Sequence, residues 1–182
     1  VEYLVKPEVY DSLYLEEQYT KYKCLLDVVK ELRGLVLDAG CGTGLLYEFL
    51  KSRELTSQLK YVCVDPSREM LTRAKSRVNS PLVLLLEGYA EELPFRSSVF
   101  DYVFSISTWG VISEKLKALR ELKRVTKRGG LLVISGHPRT FTIRPPDLDS
   151  EFTELLECID HFYIAVNSLE KLGAGASRLL QV

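Results

Sequence analysis

Two stretches in the first half of the chain carry residue types suited to a nucleoside-like ligand. In Val36-Leu37-Asp38-Ala39-Gly40-Cys41-Gly42-Thr43-Gly44, an apolar run ends in a carboxylate and leads into alternating glycines. Glycines there permit a sharp turn and let a ligand approach backbone that a Cβ would screen. The second stretch, Tyr61-Val62-Cys63-Val64-Asp65-Pro66-Ser67, again ends an apolar run in an acid. A carboxylate at the end of a neighbouring strand can accept hydrogen bonds from both ribose hydroxyls. Ser67, standing before a helical stretch, can serve as its N-cap and leave Asp65 for the ligand.

The glycine spacing separates two ligand classes. The dinucleotide fingerprint G-x-G-x-x-G needs its third glycine where this chain has Leu45, and here the third glycine falls one residue early, at Gly44. A nicotinamide-dependent oxidoreductase is disfavoured on that ground. The stretch resembles instead motif I of class I S-adenosylmethionine-dependent methyltransferases, in which an acid ends the first strand before G-x-G-x-G. Three more segments share the resemblance, in order and spacing. Asp65 through Ser67-Arg68-Glu69-Met70-Leu71 follows the family's acid after strand two and its S-x-x-M-L. Gly88-Tyr89-Ala90-Glu91-Glu92-Leu93-Pro94-Phe95, then Phe100-Asp101, resembles the G-D-A-x-x-L-P-F and F-D of the ubiquinone- and menaquinone-pathway branch, with Tyr89 in the place of the usual carboxylate. Leu122-Lys123-Arg124-Val125-Thr126-Lys127-Arg128-Gly129-Gly130 resembles L-x-R-V-L-x-P-G-G, with Arg128 for proline. The likeness covers residues 35–135.

By that resemblance the cofactor is S-adenosylmethionine. Asp38 is expected to help hold its methionine amino group, and Gly40, Cys41, Gly42, Thr43 and Gly44 to line it. Asp65, with Pro66 beside it, is expected at the ribose. Tyr89 is expected to stack on or edge the adenine, and Ala90 to offer it an amide. Asp101 is expected to serve the fold. The implied reaction is in-line attack by an acceptor atom on the sulfonium methyl, so the protein positions and desolvates reactants. A base is needed only if the acceptor loses a proton, and no catalytic residue is assigned. Candidates for an acceptor pocket are Tyr10, Tyr14 and Tyr19 near the start, Trp109 after strand four and His137 after strand five. Each also has a packing or loop reading: core for Trp109, a loop hydrogen bond before Pro138 for His137, helix packing for the tyrosines. The acceptor is expected to be a small molecule, since the N/D-P-P-Y/F signature is missing after strand four. A non-catalytic cofactor-binding subunit that stabilises or activates a partner is the alternative.

The elements that must position these residues follow from periodicity. Residues 11–32 read as a helix ended by Gly34, its acids early and its lysines late, as the macrodipole favours. Strands are expected at 35–39, 61–64, 82–86, 100–107 and 131–135, and helices at 45–52, 68–78 and 114–125. Uninterrupted Val/Leu/Ile strands alternating with helices imply a Rossmann-like, doubly wound, mostly parallel α/β sheet. In the tail, 150–159 reads as a helix, and 161–166 and 178–182 as an antiparallel edge hairpin, for seven strands in all. The chain reads as one domain over 1–182: a helical cap (1–34), a cofactor-binding core (35–136), and a C-terminal helix and hairpin (137–182).

A length of 182 residues suffices for one core. A net charge of −1 and a mean hydropathy near zero give no bulk reason to expect nucleic acid. Cys24, Cys41, Cys63 and Cys158 have no metal-ligand spacing and read as free thiols in a reducing, cytoplasmic compartment, with no metal site. The longest apolar runs are too short to span a bilayer.

Overall fold

A computed structural model describes residues 6–29, 31–139, 152–155 and 158–166. Four helices, α1 (Pro7–Val28), α2 (Leu45–Ser52), α3 (Arg68–Arg77) and α4 (Lys115–Val125), lie among seven strands. The strands are β1 (Gly34–Ala39), β2 (Leu59–Asp65), β3 (Val83–Glu87), β4 (Phe100–Ser105), β5 (Thr126–Gly136), β6 (Phe152–Leu155) and β7 (His161–Val166). They form one sheet in the order β3-β2-β1-β4-β5-β7-β6. Strands β1 to β5 pair in parallel, and β7 runs antiparallel to both β5 and β6. The architecture is therefore the Rossmann-like α/β fold that the residue pattern predicts.

Two cores explain why the strand sequences are apolar at successive positions. Val36, Tyr61, Cys63 and Phe104 face Tyr22 and Leu25 of α1, Leu46 and Phe49 of α2, and Leu71 of α3. Their strand neighbours Leu37, Val62 and Val103 face Leu119, Leu122 and Val125 of α4. Consecutive residues of one strand point to opposite faces, so both sets must be apolar when both faces are covered. Each fully buried side chain of this kind contributes about 1.5–3 kcal/mol relative to exposure.

Several boundaries differ from expectation. Helix α1 starts at Pro7, because proline's fixed φ suits a first helical position. It ends at Val28, before the expected stop, and Gly34 opens β1 instead of capping the helix. Strand β4 stops at Ser105 because Ser107 adopts a left-handed φ of 60°. Strand β5 begins at Thr126, with a register shift against β4 between Phe100 and Tyr102.

The tail needs correction. Part of the expected 150–159 helix is strand β6, and β6, not residues 178–182, forms the antiparallel pair with β7, in the register Phe152↔Ala165 to Leu155↔Phe162. Residues 178–182 lie outside the described residues. A short, mixed stretch does not separate helix from strand by period, whereas the outer backbone edge of β7 demands a ladder partner. The cysteine reading also changes. Cys24 and Cys158 form a disulfide joining α1 to the segment before β7, across a sequence separation of 134. Cys41 and Cys63 are buried free thiols, as expected. No helix among the described residues is long and apolar enough to cross a membrane.

Asp101 joins three strands. Its carboxylate accepts the Leu35 amide at 2.8 Å and the Lys127 ammonium at 2.8 Å. Gly34, at a φ of 94°, lies against that carboxylate and has no room for a Cβ. Burial alone would push the Asp101 pKa up, but the Leu35 amide and Lys127 outweigh it and hold the group below the usual range. Asp101→Ala should destabilise the protein by about 1–3 kcal/mol, because it strips a backbone amide of its acceptor. Urea denaturation should show a lower midpoint at unchanged slope.

Candidate functional site

The chain runs outward from β1 to β3 and then returns to the other side of β1 as β4. Ligands of open parallel sheets bind beyond the strand carboxyl ends at such a reversal. A cleft lies there, lined by Ala39 and Gly40 after β1, Pro66 after β2, Gly88, Tyr89, Ala90 and Glu91 after β3, and Thr108, Val111, Ile112 and Ser113 after β4. Of the expected cofactor residues, Gly40, Pro66, Tyr89 and Ala90 thus share one cleft. A wider hollow of about 390 Å³ opens among Arg33, Asp101, Tyr102 and Lys127. It lies at the opposite, amino-terminal edge of the sheet, where the Asp101–Lys127 pair and the Tyr102 hydroxyl on the Glu31 carbonyl serve the fold.

The glycine loop turns its amides inward. Gly40 and Cys41 donate to the Val64 carbonyl at 2.7 and 3.2 Å, Gly42 donates to Asp65 Oδ2 at 2.9 Å, and Gly44 donates to Cys41 at 3.0 Å. Gly40, at a φ of 83°, sits so close to the Thr108 methyl that a Cβ does not fit, whereas Gly42 faces open space. Asp65 is fully buried, and its Oδ1 accepts the Ser67 amide at 2.8 Å. Ser67 Oγ in turn caps α3 by accepting from Met70 N at 3.2 Å. The expected cap is present, while Asp65 also braces the loop.

Asp38, 3% exposed, accepts a hydrogen bond from the Tyr61 hydroxyl at 3.0 Å. Burial pushes its pKa up to about 7; the Tyr61 hydroxyl opposes this and the Asp65 charge adds to it. The loop carrying Tyr89 is tied down from α4. Arg124 donates to the Phe95 and Leu93 carbonyls at 2.7 and 3.0 Å, and Glu121 accepts the Leu93 amide at 2.9 Å. The basic run after Leu122 therefore does structural work at Arg124 and Lys127.

Helix α1 supplies residues whose roles the sequence concealed. Asp11 and Lys21, read as macrodipole charges, are 8% and 3% exposed. Asp11 accepts from Thr43 Oγ1 at 2.5 Å and from Arg73 and Arg77 at 2.9 Å each. Arg77 also donates to the Thr43 carbonyl at 2.6 Å. Burial pushes the Asp11 pKa up, yet the bonds from Arg77, Thr43 and Arg73 bring it below the usual range. Lys21 forms an ion pair with Asp160 at 2.9 Å and donates to Ser107 at 3.0 Å. The available signal was their spacing, which places Asp11, Gln18 and Lys21 on the stripe that buries Tyr22 and Leu25.

The acceptor-pocket candidates disperse. Tyr10 and Tyr14 stand on α1 with ring centroids 4.9 Å apart, and Tyr10 accepts from Gln18 at 3.1 Å. Burial pushes the Tyr10 pKa up to about 12. Tyr19 packs on Phe49 at 5.1 Å. Trp109 is fully buried in the α4-side core. His137 Nδ1 accepts the Arg139 amide at 3.2 Å, which is its loop reading. None of the five lines the cleft.

Comparison with known proteins agrees with this geometry. The family model of the methyltransferase domain matches residues 37–134, more than half of the chain. The chain is 36% identical over 104 residues to the ubiquinone/menaquinone biosynthesis C-methyltransferase UbiE of Campylobacter jejuni, covering 54% of this chain and 43% of that one. A SAM-dependent methyltransferase from Aquifex aeolicus superposes with a TM-score of 0.68 at 23% identity, over 88% of this chain and 98% of that one. A Haloferax volcanii protein solved in complex with the Trm112 methyltransferase activator superposes with a TM-score of 0.71 at 16% identity, over 89% and 93%. At these identities the two structures speak to the fold alone. The chain spans about half the length of the curated relatives it matches.

The buried Asp38 carboxyl gives a pH test. Its proton is retained in the fold up to about pH 7, whereas an unfolded chain releases it near pH 3.9. Between those values the folded state binds more protons, so this contribution to stability is complete below about pH 4 and is lost as pH rises through 7. The slope is at most about 1.4 kcal/mol per pH unit. Urea midpoints at pH 5 and 7.5 should therefore converge in Asp38→Asn relative to the parent; equal pH dependence in both would remove Asp38 as the titrating group.

Proposed function

We infer, because this chain belongs to the class I S-adenosylmethionine-dependent methyltransferase family, that its switch-point cleft binds S-adenosylmethionine and that it transfers the methyl group to a small-molecule acceptor. The observation that carries this reading is the cleft itself, floored by Gly40 where no Cβ fits and walled by Pro66, Tyr89 and Ala90. The residues fit the cofactor: two carboxyl groups, Asp38 and Asp65, end adjacent strands beside the glycine loop, and an aromatic ring stands at the far wall. The likeness to a quinone-pathway C-methyltransferase supports a small acceptor.

When bound, the cofactor supplies its own electrophile, a methyl group on a cationic sulfur. Asp38 would hold the methionine amino group, its own proton passing to solvent as the cation binds. Asp65, buried and holding Gly42 and Ser67, would accept the ribose hydroxyls only where binding uncovers it. Tyr89, half exposed at the rim, edges the adenine, and the Ala90 amide completes that end. Cys41, Thr43 and Gly44 shape the loop behind it. Helix α1, fastened at Asp11 and Lys21, holds Thr43 and Ser107 beside the strand carboxyl ends. For the acceptor side, placement on α1 favours Tyr10 and Tyr14 over the core Trp109 and the loop-bound His137. We read residues 1–182 as one domain with these parts. The activator bound to the Haloferax protein supports a second reading, in which a protein partner stabilises or switches on this chain.

Titration calorimetry with S-adenosylmethionine, S-adenosylhomocysteine and NAD separates the alternatives: the first two should bind, and binding of NAD alone overturns the reading. Asp65→Ala should weaken S-adenosylhomocysteine by about tenfold to a hundredfold, the loss expected for one or two hydrogen bonds to a carboxylate. Unchanged affinity removes Asp65 from the ribose role. Tyr89→Asp, which restores the family's usual carboxylate, should leave affinity equal or tighter. A clear loss means that Tyr89 makes a contact of its own.

A further inference from the structure

Helix α1 docks through buried polar groups as well as through the apolar Tyr22 and Leu25. Three of the six side chains it buries are Asp11, Gln18 and Lys21. Asp11 holds Thr43 in the glycine loop, and Lys21 reaches the opposite side of the site. There Lys21 forms ion pairs with Asp160 Oδ1 at 2.9 Å and Glu17 at 2.6 Å, and donates a hydrogen bond to Ser107 at 3.0 Å. Asp160 Oδ2 accepts from Ser107 Oγ at 2.6 Å and from Ser135 Oγ at 2.9 Å. Ser107 follows β4 at the carboxyl edge and is held at a φ of 60°, which a serine adopts only under constraint.

The Cys24–Cys158 disulfide lies in the same seam. Cys24 is one helical turn beyond Lys21, and Cys158 stands two residues before Asp160. Both sulfurs belong to half-buried residues that a soluble thiol can reach, unlike the sealed Cys41 and Cys63. A buried ion pair gives little net hold once its desolvation is counted. The covalent link therefore adds a hold on α1 beyond the apolar packing of Tyr22 and Leu25.

We propose that the Cys24–Cys158 disulfide is a redox latch on the cofactor site, a proposal that rests on the cofactor reading above. Oxidised, it keeps α1 seated, so that Asp11 braces the Thr43 loop and the Lys21–Asp160 pair fixes Ser107. A dithiol reductant breaks the S–S bond by giving two electrons and two protons, leaving two thiols and its own disulfide. Helix α1 then spends part of its time undocked, and the glycine loop loses its brace. Exchange with a small disulfide such as oxidised glutathione restores the link and releases that reagent as its thiol.

The test uses the full chain, oxidised with glutathione disulfide or reduced with dithiothreitol, together with Cys24→Ser and Cys158→Ser. S-adenosylhomocysteine affinity is read by calorimetry and the docking of α1 by hydrogen exchange of peptides covering Pro7–Val28. Reduction and both variants should speed exchange in α1 and weaken binding by about tenfold, as when the competent fraction falls to about a tenth. Equal affinity and equal α1 exchange in the two redox states overturn the latch, as do free thiols at 24 and 158 after oxidation. Failure of every form to bind the ligand overturns the cofactor reading instead. The latch is then decided by α1 exchange alone: faster on reduction supports it, unchanged overturns it.

Discussion

One side chain at the end of β2 sets the local geometry of the whole site. Asp65 has no exposed surface, and a buried carboxyl group persists only where donors are aimed at it. The amides of Gly42 and Ser67 are those donors. The first comes from the turn after β1 and the second from the start of α3, so one carboxyl group registers two crossovers against each other. The parallel pairing makes this possible: Ala39 lies beside Val64, which places Asp65 level with the turn that begins at Gly40. Once Gly42 is held, Gly40 is pressed against Thr108, and the floor of the cleft follows.

This arrangement differs in kind from a phosphate-binding turn. Phosphate loops aim their amides and a helix N-terminus outward at the anion. Here the amides of Gly40, Cys41, Gly42 and Gly44 are all spent on protein oxygens. The glycines are required because a Cβ at Gly40 does not fit and because their φ values are positive. At these positions such a loop offers a phosphate no cradle of amides, which suits a cofactor that carries none. The early third glycine in the sequence and the inward amides are the same fact seen at two levels.

How much of this could be read in advance depends on the range of the interaction involved. Helix α2 over 45–52 and the parallel strands were legible, since two-sided burial writes itself as unbroken apolar runs. The cap at Ser67 was legible because it is set by residues close in sequence, and the structural role of Asp101 through the resemblance, since its partners Leu35 and Lys127 are distant. Lys21 was not: its partner Asp160 is far along the chain, and a lysine late in a helix has an adequate local explanation. The same holds for Cys24, whose only recognisable signal is another cysteine with many spacings allowed. Strand β6 was hidden because its pairing is imposed by the free edge of β7, not by its own four residues. Tyr89 was legible as a departure from the family, but its rim position came only from the fold.

The polar docking of α1 is the remaining constraint, and its physics favours position over strength. An apolar stripe slides with modest loss, because dispersion is not directional. Asp11 has to meet Thr43, Arg73 and Arg77 together, and Lys21 has to meet Asp160 and Ser107 together; a shifted helix leaves charges buried and unpaired. Such a mispaired state costs several kcal/mol, whereas correct pairing adds little to the hold supplied by burial of Tyr22 and Leu25. The helix is thereby restricted to one seated geometry and to states well clear of it. A helix seated in that way fixes Thr43 of the glycine loop and Ser107 after β4 relative to each other.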